Sequence, residues 1–293
     1  MKLFKRRSLL FVPAIKENYY DNINSINCDA VIFDLEDSVP ISCKEKARKI
    51  LHEKFNIHRD KGKELIIRVN DCRSKFIHDD LSLAIKLKPD TILVAKAEDK
   101  DIEFVDNFLK DMEDLSYLLL IETVKGYLDC KEILGFSKKI TGIIFGAEDF
   151  SADIGIERTE YYHNPVFFQA VIQLMLLSKY YNIDFIDSVY PYLFTDEALK
   201  GLIDEASLSK KMGAVGKLAV HPSQVELINQ VYSPNSAEIE KTKLIISELE
   251  KAEKENELSI FKFQNRMMDM PERKRAKKIF EHAKRFNPAK ERP

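Results

Sequence analysis

Two apolar stretches of this sequence run directly into acidic side chains. The stretch GIIFGAEDF (142–150) passes from a buried-strand pattern to Glu148 and Asp149, and AVIFDLED passes in the same way to Glu36 and Asp37. Either pair alone is most simply a cap on the helix that follows a strand. When carboxylates from several strands meet at one place, however, their repulsion is costly unless a cation lies among them.

The best candidates for metal ligands are Glu122 and Asp149. They follow two apolar runs that are consecutive along the chain, and neighbouring parallel strands would place their ends about 5 Å apart. Two carboxylates completed by waters and a chelating substrate match the coordination that Mg²⁺ accepts. No His or Cys accompanies the pair, which disfavours zinc. For each acid alone a cap or a surface ion pair remains the simpler role.

Other polar side chains also follow strand-like runs. Arg68 could bind a substrate carboxylate through its fork and stabilise a developing enolate or alkoxide, and it could also neutralise Glu36 or Asp37. Lys96 is either a Schiff-base lysine or, more simply, part of a structural ion pair. His221 is expected to order the last turn of the fold through hydrogen bonds. Asp34 and Asp187 complete the polar residues expected on the same rim.

Eight short apolar runs, separated by helix-like stretches, would position these residues. They span 8–12, 30–35, 65–69, 91–95, 117–123, 142–146, 185–189 and 217–220. Runs that are apolar on both faces suit a parallel sheet covered by helices. Eight such units predict an α/β fold, a (β/α)₈ TIM barrel, whose site lies at the carboxyl ends of the strands. A doubly wound sheet is the alternative, but no G-x-G-x-x-G follows the first run.

The chain is expected to contain a TIM-barrel catalytic domain over 1–258 and a C-terminal helical lid extension over 259–293. Residues 164–181 predict a helix that is apolar almost all round and therefore deeply packed, and 236–257 predict a surface helix with a narrow apolar stripe. After 258 the composition becomes basic, with MMDMP before ERKRAKKIFEHAKRF.

The bulk composition limits the partners of the protein. The 46 basic and 48 acidic residues nearly cancel, which argues against nucleic acid as the main partner. The first apolar run stops at Pro13, too short for a signal peptide, and no segment approaches the roughly 20 apolar residues that span a bilayer. Four widely spaced cysteines indicate reduced thiols in a cytoplasmic protein with no membrane partner: Cys28, Cys43, Cys72 and Cys130.

Several motifs, in order, resemble a known family. RRSLLFVPA, AVIFDLEDSV, IIRVN, LLLIETVKGY, GIIFGAEDFSADIG, FIDSVY and GKLAVHPSQVELIN are similar to the citrate lyase β-subunit-like (CitE-like) branch of the HpcH/HpaI aldolase superfamily. That branch includes acyl-CoA lyases acting on malyl-CoA and citramalyl-CoA. The resemblance covers essentially the whole chain. Its most specific part is IET-x-x-G followed by GAEDF and GK-x-A-x-HP.

The resemblance implies a Mg²⁺-dependent carbon–carbon lyase. Such an enzyme cleaves a 3-hydroxyacyl-CoA of the citramalyl-CoA, malyl-CoA or citryl-thioester type to acetyl-CoA and a 2-oxo acid, and it is a homo-oligomer, a trimer or a multiple of three. Asp269, in MMDMP, would be the acid/base that reaches a neighbouring subunit's site. The implied roles are metal ligation by Glu122 and Asp149, substrate binding by Arg68, Glu122 and Glu36, and catalysis by Arg68, Asp37 and Asp269.

The sequence departs from the family pattern at a few positions. Ala14 stands where Gly is common, Ala95 where Pro is common, and NRMMD lacks the Gly of the lid signature. These positions leave open whether the substrate is a CoA ester, a carrier-protein ester or a free acid. The alternatives are therefore a CoA-independent pyruvate aldolase, an acyl-CoA thioesterase with the same metal centre, or a non-catalytic ligand-binding barrel subunit. The last would predict loss of the metal and arginine residues, all of which are present.

Overall fold

The computed structural model describes residues 4–59, 61–159, 164–254, 261–263 and 266–268. The chain divides into two compact units, Met1–Tyr232 and Ser233–Pro293. The boundary between residues 258 and 259 that the composition suggests stays a prediction.

The first unit contains a closed barrel of eight parallel strands in sequence order, with β8 pairing with β1. The strands are β1 (Ser8–Pro13), β2 (Ala30–Asp34), β3 (Glu64–Val69), β4 (Thr91–Val94), β5 (Ser116–Ile121), β6 (Ile140–Phe145), β7 (Asp184–Asp187) and β8 (Gly216–Ala219). The predicted (β/α)₈ TIM barrel is confirmed.

Helices follow the strands and cover the barrel. They are α1 (Glu17–Tyr20), α2 (Lys44–Lys54), α3 (Ile77–Leu87), α4 (Asp101–Phe108), α5 (Val124–Leu128), α6 (Cys130–Ile133), α7 (Ala147–Asp153), α8 (Pro165–Tyr181), α9 (Asp196–Met212) and α10 (Pro222–Tyr232). Short 3₁₀ turns span Ile23–Ser25, Ile41–Cys43 and Phe55–His58. The two longest helices of this unit begin at polar caps: the side chain of Asn164 accepts hydrogen bonds at the start of α8, and that of Thr195 does so at the start of α9.

Side chains alternate along each strand between the barrel interior and the helix layer. The interior is filled by ten buried apolar residues: Leu9, Ala30, Ile32, Ile66, Leu93, Leu118, Leu120, Ile144, Ile186 and Leu218. The alternate positions pack with the helices in a second, larger core. Because strands of this kind are buried on both faces, they appear in the sequence as continuous apolar runs.

The same alternation continues toward the carboxyl ends of the strands and selects the residues of the barrel mouth. Asp34 lies two positions after Ile32, Arg68 two positions after Ile66, and Glu122 two positions after Leu120. A period of two returns a side chain to the same face of the sheet. The polar residues of the mouth therefore form the layer directly above the apolar interior.

The opposite end of the barrel is filled by ion pairs. Arg6 Nη2 lies 2.7 Å from Glu64 Oε1, and Arg6 Nη1 lies 3.2 Å from Asp184 Oδ2. Arg6 and Glu64 are buried, and Thr91 also donates to Glu64. Arg6 and Glu64 thus neutralise each other at this end, and the candidate site lies at the carboxyl ends of the strands.

Helix α8 differs from its predicted environment. Its buried residues follow a helical spacing, with Phe167, Val171, Leu174 and Ser178 on one face. On the other face of the single chain, apolar side chains are exposed, among them Leu176 and Tyr180. The expectation of packing on nearly all sides is therefore wrong for the isolated chain, because a helix of the outer layer touches the barrel with one face only.

The second unit contains α11 (Ser236–Lys254) and an antiparallel pair of short strands, β9 (Phe261–Phe263) and β10 (Arg266–Met268). The predicted helix over 236–257 is present up to Lys254, the last residue described in it. Apart from these two short strands, the predicted lid, including Asp269, lies outside the described residues. Among the helices that the structure describes, none combines the length and apolar character needed to span a bilayer.

Candidate metal centre at the barrel mouth

Arg68, at the end of β3, is held by the carboxylate of the neighbouring strand. The register pairs Asp34 with Arg68, and Nε and Nη2 of the guanidinium each donate to one carboxylate oxygen at 2.7 Å. Nη1 lies 3.0 Å from Glu36 Oε2 and 3.7 Å from Asp37 Oδ2. The Arg68 Cζ atom is 4.8 Å from the centre of the Phe11 ring. The plane of the guanidinium is thus fixed on two sides.

The charge of Arg68 is permanent. Burial by itself lowers the pKa of Arg68, but the adjacent Asp34 and Glu36 carboxylates outweigh burial and raise it overall. A guanidinium has five N–H donors, and Asp34 takes two of them. Although Glu36 also lies near Nη1, N–H donors of Arg68 remain for an anionic ligand. The predicted pairing of Arg68 with Glu36 is present, but its bidentate partner is Asp34, which sequence reasoning missed although Asp34 and Arg68 occupy inward positions of adjacent strands.

Lys96 pairs with the second acidic residue of the β2 end. Its Nζ lies 2.7 Å from Glu36 Oε1 and 3.7 Å from Asp37 Oδ2. Burial lowers the pKa of Lys96, but the hydrogen bond to Glu36 and the charge of Glu122 raise it overall. A protonated amine is not a nucleophile, so the geometry favours the ion-pair interpretation of Lys96 over a Schiff base. Asp37 is the more exposed of the two acids.

Glu122 follows β5 and is buried at the centre of this cluster. Its Oε1 accepts the backbone N–H of Lys96 at 2.9 Å. Burial raises the pKa of Glu122 to about 8; Arg68 and Lys96 act against this rise, and Asp149 and Glu36 add to it. Glu122 therefore interacts electrostatically with four other charged residues that the sequence predicts at the strand ends: Arg68, Lys96, Asp149 and Glu36.

Asp149 lies in the first turn of α7, which begins directly after β6. Strands β5 and β6 are paired, with Ile121 opposite Phe145. The side chain of Asp149 is partly buried, and among the described residues it has no hydrogen bond or ion pair. Gly146 allows β6 to approach Glu122, because a Cβ at that position would lie 2.4 Å from the Cβ of Glu122.

One divalent cation would neutralise the net charge of the mouth when all its carboxyl groups are ionised. The carboxylates of Asp34, Glu36, Asp37, Glu122 and Asp149 are opposed by Arg68, Lys96 and the buried Lys44, whose Nζ donates to the carbonyl oxygens of residues 35 and 36. With every carboxyl ionised, two negative charges remain unbalanced. In the described part of the chain, no group of three or more His, Cys, Asp or Glu residues is arranged to hold a metal. Two carboxylates with waters would suit Mg²⁺.

Asp187 is not part of this mouth, contrary to the expectation from sequence. Ile186 points into the barrel, so Asp187 points outward to the helix layer, where its Oδ2 lies 2.7 Å from Lys217 Nζ. Lys217 is also 2.7 Å from Glu205 of α9, and all three side chains are fully buried. Sequence reasoning missed Lys217 and Glu205. A lysine inside the apolar strand GKLA is a signal that could have revealed them, since a buried ammonium needs an acid.

The remaining candidates lie beside the mouth or outside the described residues. Glu148 is exposed and pairs with Arg158 Nε at 3.2 Å. His221 contacts Ser223 Oγ through Nδ1 at 2.8 Å, which agrees with its expected role in ordering the last turn. Asp269, the expected acid/base, lies outside the described residues, so its placement stays a prediction.

Comparison with known proteins identifies related sequences. The family model described as HpcH/HpaI aldolase/citrate lyase matches residues 7–222. The chain is 29% identical over 293 residues to citrate lyase subunit beta of Haemophilus influenzae, covering 97% of this chain and 98% of that protein. It is 32% identical over 250 residues to a (3S)-malyl-CoA thioesterase of Cereibacter sphaeroides, covering 85% and 84%.

A solved structure shares the fold over most of its length. CitE from Mycobacterium tuberculosis, in complex with magnesium, acetoacetate and coenzyme A, aligns with a TM-score of 0.77 at 22% identity. The alignment covers 95% of this chain and 98% of that one.

Proposed function

Because the chain belongs to the HpcH/HpaI aldolase/citrate lyase family, we propose that it is a magnesium-dependent carbon–carbon lyase acting on a 3-hydroxyacyl-CoA. The products would be acetyl-CoA and a 2-oxo acid, from a citramalyl-CoA, malyl-CoA or citryl-thioester substrate. One observation carries the proposal: Glu122 and Asp149 keep carboxylate oxygens that no described residue hydrogen-bonds, at the same mouth where Asp34 fixes the orientation of Arg68. The magnesium, acetoacetate and coenzyme A bound to the M. tuberculosis protein support the same assignment.

Glu122 and Asp149 are the residues that would hold the magnesium ion. When bound, the ion would supply Lewis-acid stabilisation of the oxygens that gain negative charge during cleavage. The donor set fits it, because both ligands are hard oxygen donors and, with every carboxyl ionised, the mouth has an excess of two negative charges. Glu36 and Asp37 are placed to accept hydrogen bonds from water at the same mouth.

Arg68 would bind and orient the carboxylate of the substrate. The N–H groups that Asp34 leaves free can donate to this carboxylate and to the oxygen that becomes the ketone. Cleavage removes the proton of the 3-hydroxyl group, forms the C=O bond and leaves the electrons of the broken C–C bond on the thioester α-carbon. A carboxylate such as Asp37 would accept the hydroxyl proton.

The thioester enolate must then take up a proton to become acetyl-CoA. We assign this step to Asp269 on the basis of the family resemblance. In the synthetic direction the same carboxylate would remove a proton from acetyl-CoA.

The test is a substrate panel. The purified protein is incubated with Mg²⁺ and citramalyl-, malyl- and citryl-CoA, and the release of pyruvate, glyoxylate and oxaloacetate is followed with coupled dehydrogenases. We expect one of the three acids to be released with an equal amount of acetyl-CoA. Release of none of them at substrate concentrations well above those typical for KM would reject the lyase assignment.

A thioesterase is the second candidate, because the (3S)-malyl-CoA thioesterases are 32% identical over 250 residues. Hydrolysis of the thioester releases free coenzyme A and an intact hydroxy acid, whereas cleavage by a lyase leaves the thiol acylated. A thiol reagent added to the same reactions separates the two. Free thiol without an oxo acid would assign the thioesterase activity.

A further inference from the structure

Lys96 has an unusual backbone conformation at the end of β4. Its φ is +48°, in the left-handed region that side chains with a Cβ rarely adopt. Neighbouring groups hold it there: the Ala97 N–H donates to the carbonyl of Leu120 at 3.2 Å, and Arg73 Nη2 donates to the carbonyl of Lys96 at 3.2 Å. A non-glycine residue kept in this conformation next to a site points to a geometric role.

The left-handed turn directs the backbone N–H of Lys96 at the candidate metal ligand. The N–H donates to Glu122 Oε1 at 2.9 Å. The other oxygen, Oε2, accepts no hydrogen bond from the described residues, and it lies on the side of Gly146, where a Cβ would be 2.7 Å away. Gly146 precedes the helix that carries Asp149. The N–H of Lys96 therefore determines which oxygen of Glu122 is free to face Asp149.

The side chain of the same residue holds a second acid. Lys96 Nζ lies 2.7 Å from Glu36 Oε1, while Glu36 Oε2 lies 3.0 Å from Arg68 Nη1. Each carboxylate oxygen of Glu36 therefore contacts a cation. Lys96 connects this acid, at the end of β2, to Glu122, after β5. Without the ammonium, Glu36 would be left with a single cationic partner beside the carboxylates of Asp37 and Glu122.

We propose that Lys96 is a positioning residue of the metal centre that acts through two groups at once. Its N–H orients Glu122 so that Oε2 is presented to the cation, and its ammonium holds Glu36 in place to bind water or substrate. This inference rests on the proposed function in placing Mg²⁺ between Glu122 and Asp149. It concerns the geometry of binding and can be tested without turnover.

The backbone contribution is tested with two proline variants. Lys96→Pro removes the N–H that Glu122 Oε1 accepts, and its φ of about −65° excludes the left-handed turn. Lys88, which follows α3, has the same φ of +48°, and its N–H bonds to the carbonyl of Ala84, so Lys88→Pro makes the same two changes at another turn. Lys96→Met removes the ammonium and keeps the N–H. Calorimetric titration with MgCl₂ should show Lys96→Pro binding about tenfold more weakly than Lys96→Met, with Lys88→Pro like wild type and circular dichroism as the control for folding. Equal affinities of Lys96→Pro and Lys96→Met would overturn the backbone role.

The contribution of the ammonium is tested by measuring Mg²⁺ affinity and turnover separately. Lys96→Met should bind Mg²⁺ at least as tightly as wild type, because a positive charge has left the mouth, whereas its kcat should fall by about 10- to 100-fold with a smaller change in KM. Lys96→Arg should recover kcat to within about threefold, since it keeps a cation near Glu36. Wild-type kcat in Lys96→Met would overturn the role of the ammonium. If the wild-type protein cleaves no thioester while the two Mg²⁺ affinities still differ, the proposed function fails and the positioning role stands.

Discussion

At the scale of residues, the cations of the mouth are paired with carboxylates, whereas two of its acids keep carboxylate oxygens that no described residue hydrogen-bonds. Arg68 and Lys96 each contact carboxylates at 2.7 Å, yet Asp149 has no hydrogen bond or ion pair within the described part of the chain. Of the two oxygens of Glu122, only Oε1 accepts a hydrogen bond from a residue that the structure describes. Buried or half-buried carboxylates in this state are costly unless a cation joins them. Metal binding should therefore depend on these two acids and far less on acids one position away.

Asp149 and its neighbour Glu148 provide a matched test of this statement. We expect Asp149→Asn to lose measurable Mg²⁺ binding and lyase activity while it keeps the fold, because the amide cannot supply the negative charge. Glu148→Gln should keep its Mg²⁺ affinity within about threefold, since Glu148 faces Arg158. Calorimetry and thermal unfolding check both. Unchanged Mg²⁺ affinity in Asp149→Asn would remove Asp149 from the metal centre.

Glu122 should make the metal-free protein sensitive to pH. Burial raises its pKa from 4.5 to about 8, so the folded state binds a proton that the unfolded chain releases. This group contributes stability that is fully present below pH 4.5 and is lost as the pH rises through about 8. In EDTA, Glu122→Gln should not lose this stability. Its free energy of unfolding, relative to that of wild type, should therefore rise across this pH range by up to about 1.4 kcal/mol per pH unit. Urea unfolding at a series of pH values measures the difference, and parallel pH curves would contradict it.

At the scale of elements, the charged residues of the strand ends form two groups: one lines the candidate site, and the other connects the barrel to a helix. The inward positions of β2, β3 and the residue after β5 supply the site, whereas the outward positions of β7 and β8 supply Asp187 and Lys217, which connect the barrel to α9 through Glu205. The outward network lies in the helix layer and is fully buried. Its removal should therefore affect stability more than Mg²⁺ binding.

Lys217→Met tests the role of the outward network. The substitution keeps the volume of the side chain but removes the ammonium that both buried acids contact, while Glu205 keeps Arg158 Nη2 at 3.4 Å. We expect the free energy of unfolding to fall by roughly 3–5 kcal/mol, as is typical when one partner of a buried ion pair is removed. Lys211→Met, at an exposed position of α9, should change it by less than about 0.5 kcal/mol. Denaturant unfolding compares them; a small effect at both positions would show that the network contributes little.

The turn from β6 into α7 is a second element on which the site depends. A Cβ at Gly146 would lie 2.4 Å from the Cβ of Glu122, so Gly146→Ala should push apart the two candidate ligands. We expect Mg²⁺ affinity to fall by about tenfold or more, in a protein that still contains every charged residue of the mouth. Calorimetry with MgCl₂ checks this, with circular dichroism as the control for folding. Wild-type affinity would show that Glu122 can move without consequence.

At the scale of the whole molecule, the barrel unit contains the metal-site residues, and the candidate acid/base belongs to the C-terminal unit, Ser233–Pro293. The family resemblance implies a trimer in which Asp269 serves a neighbouring subunit's site. This arrangement has a consequence for mixtures of variants. A subunit without Glu122 and a subunit without Asp269 could each supply what the other lacks.

Hybrid oligomers test the shared site. Glu122→Ala and Asp269→Asn should each show little lyase activity alone, and co-expressed with different affinity tags they should regain a substantial fraction of it, because some sites then combine an intact Glu122 with an intact Asp269. Light scattering should give a mass of three chains of 34.0 kDa, or a multiple of this mass. Inactive hybrids of the expected mass would place Asp269 in its own subunit's site or outside the mechanism.

The sequence by itself determined the barrel and most of the charged residues at its mouth, with Asp187 as the exception. Eight apolar runs with intervening helical segments restrict the fold, because each strand must be buried on both faces and each run must be covered by a helix. The period of two along a strand then returns Asp34, Arg68 and Glu122 to the face of the apolar interior. These features are local, so they can be read from residue order alone.

Only the tertiary structure decided which charges pair. Asp34 rather than Glu36 or Asp37 is the bidentate partner of Arg68, Asp187 faces the helix layer rather than the mouth, and Lys96 bonds to Glu122 through its backbone. Such pairings depend on strand register, on the phase at which each strand ends and on a left-handed φ at one lysine. These quantities arise from contacts between residues far apart in the chain, and for this reason no local pattern specifies them.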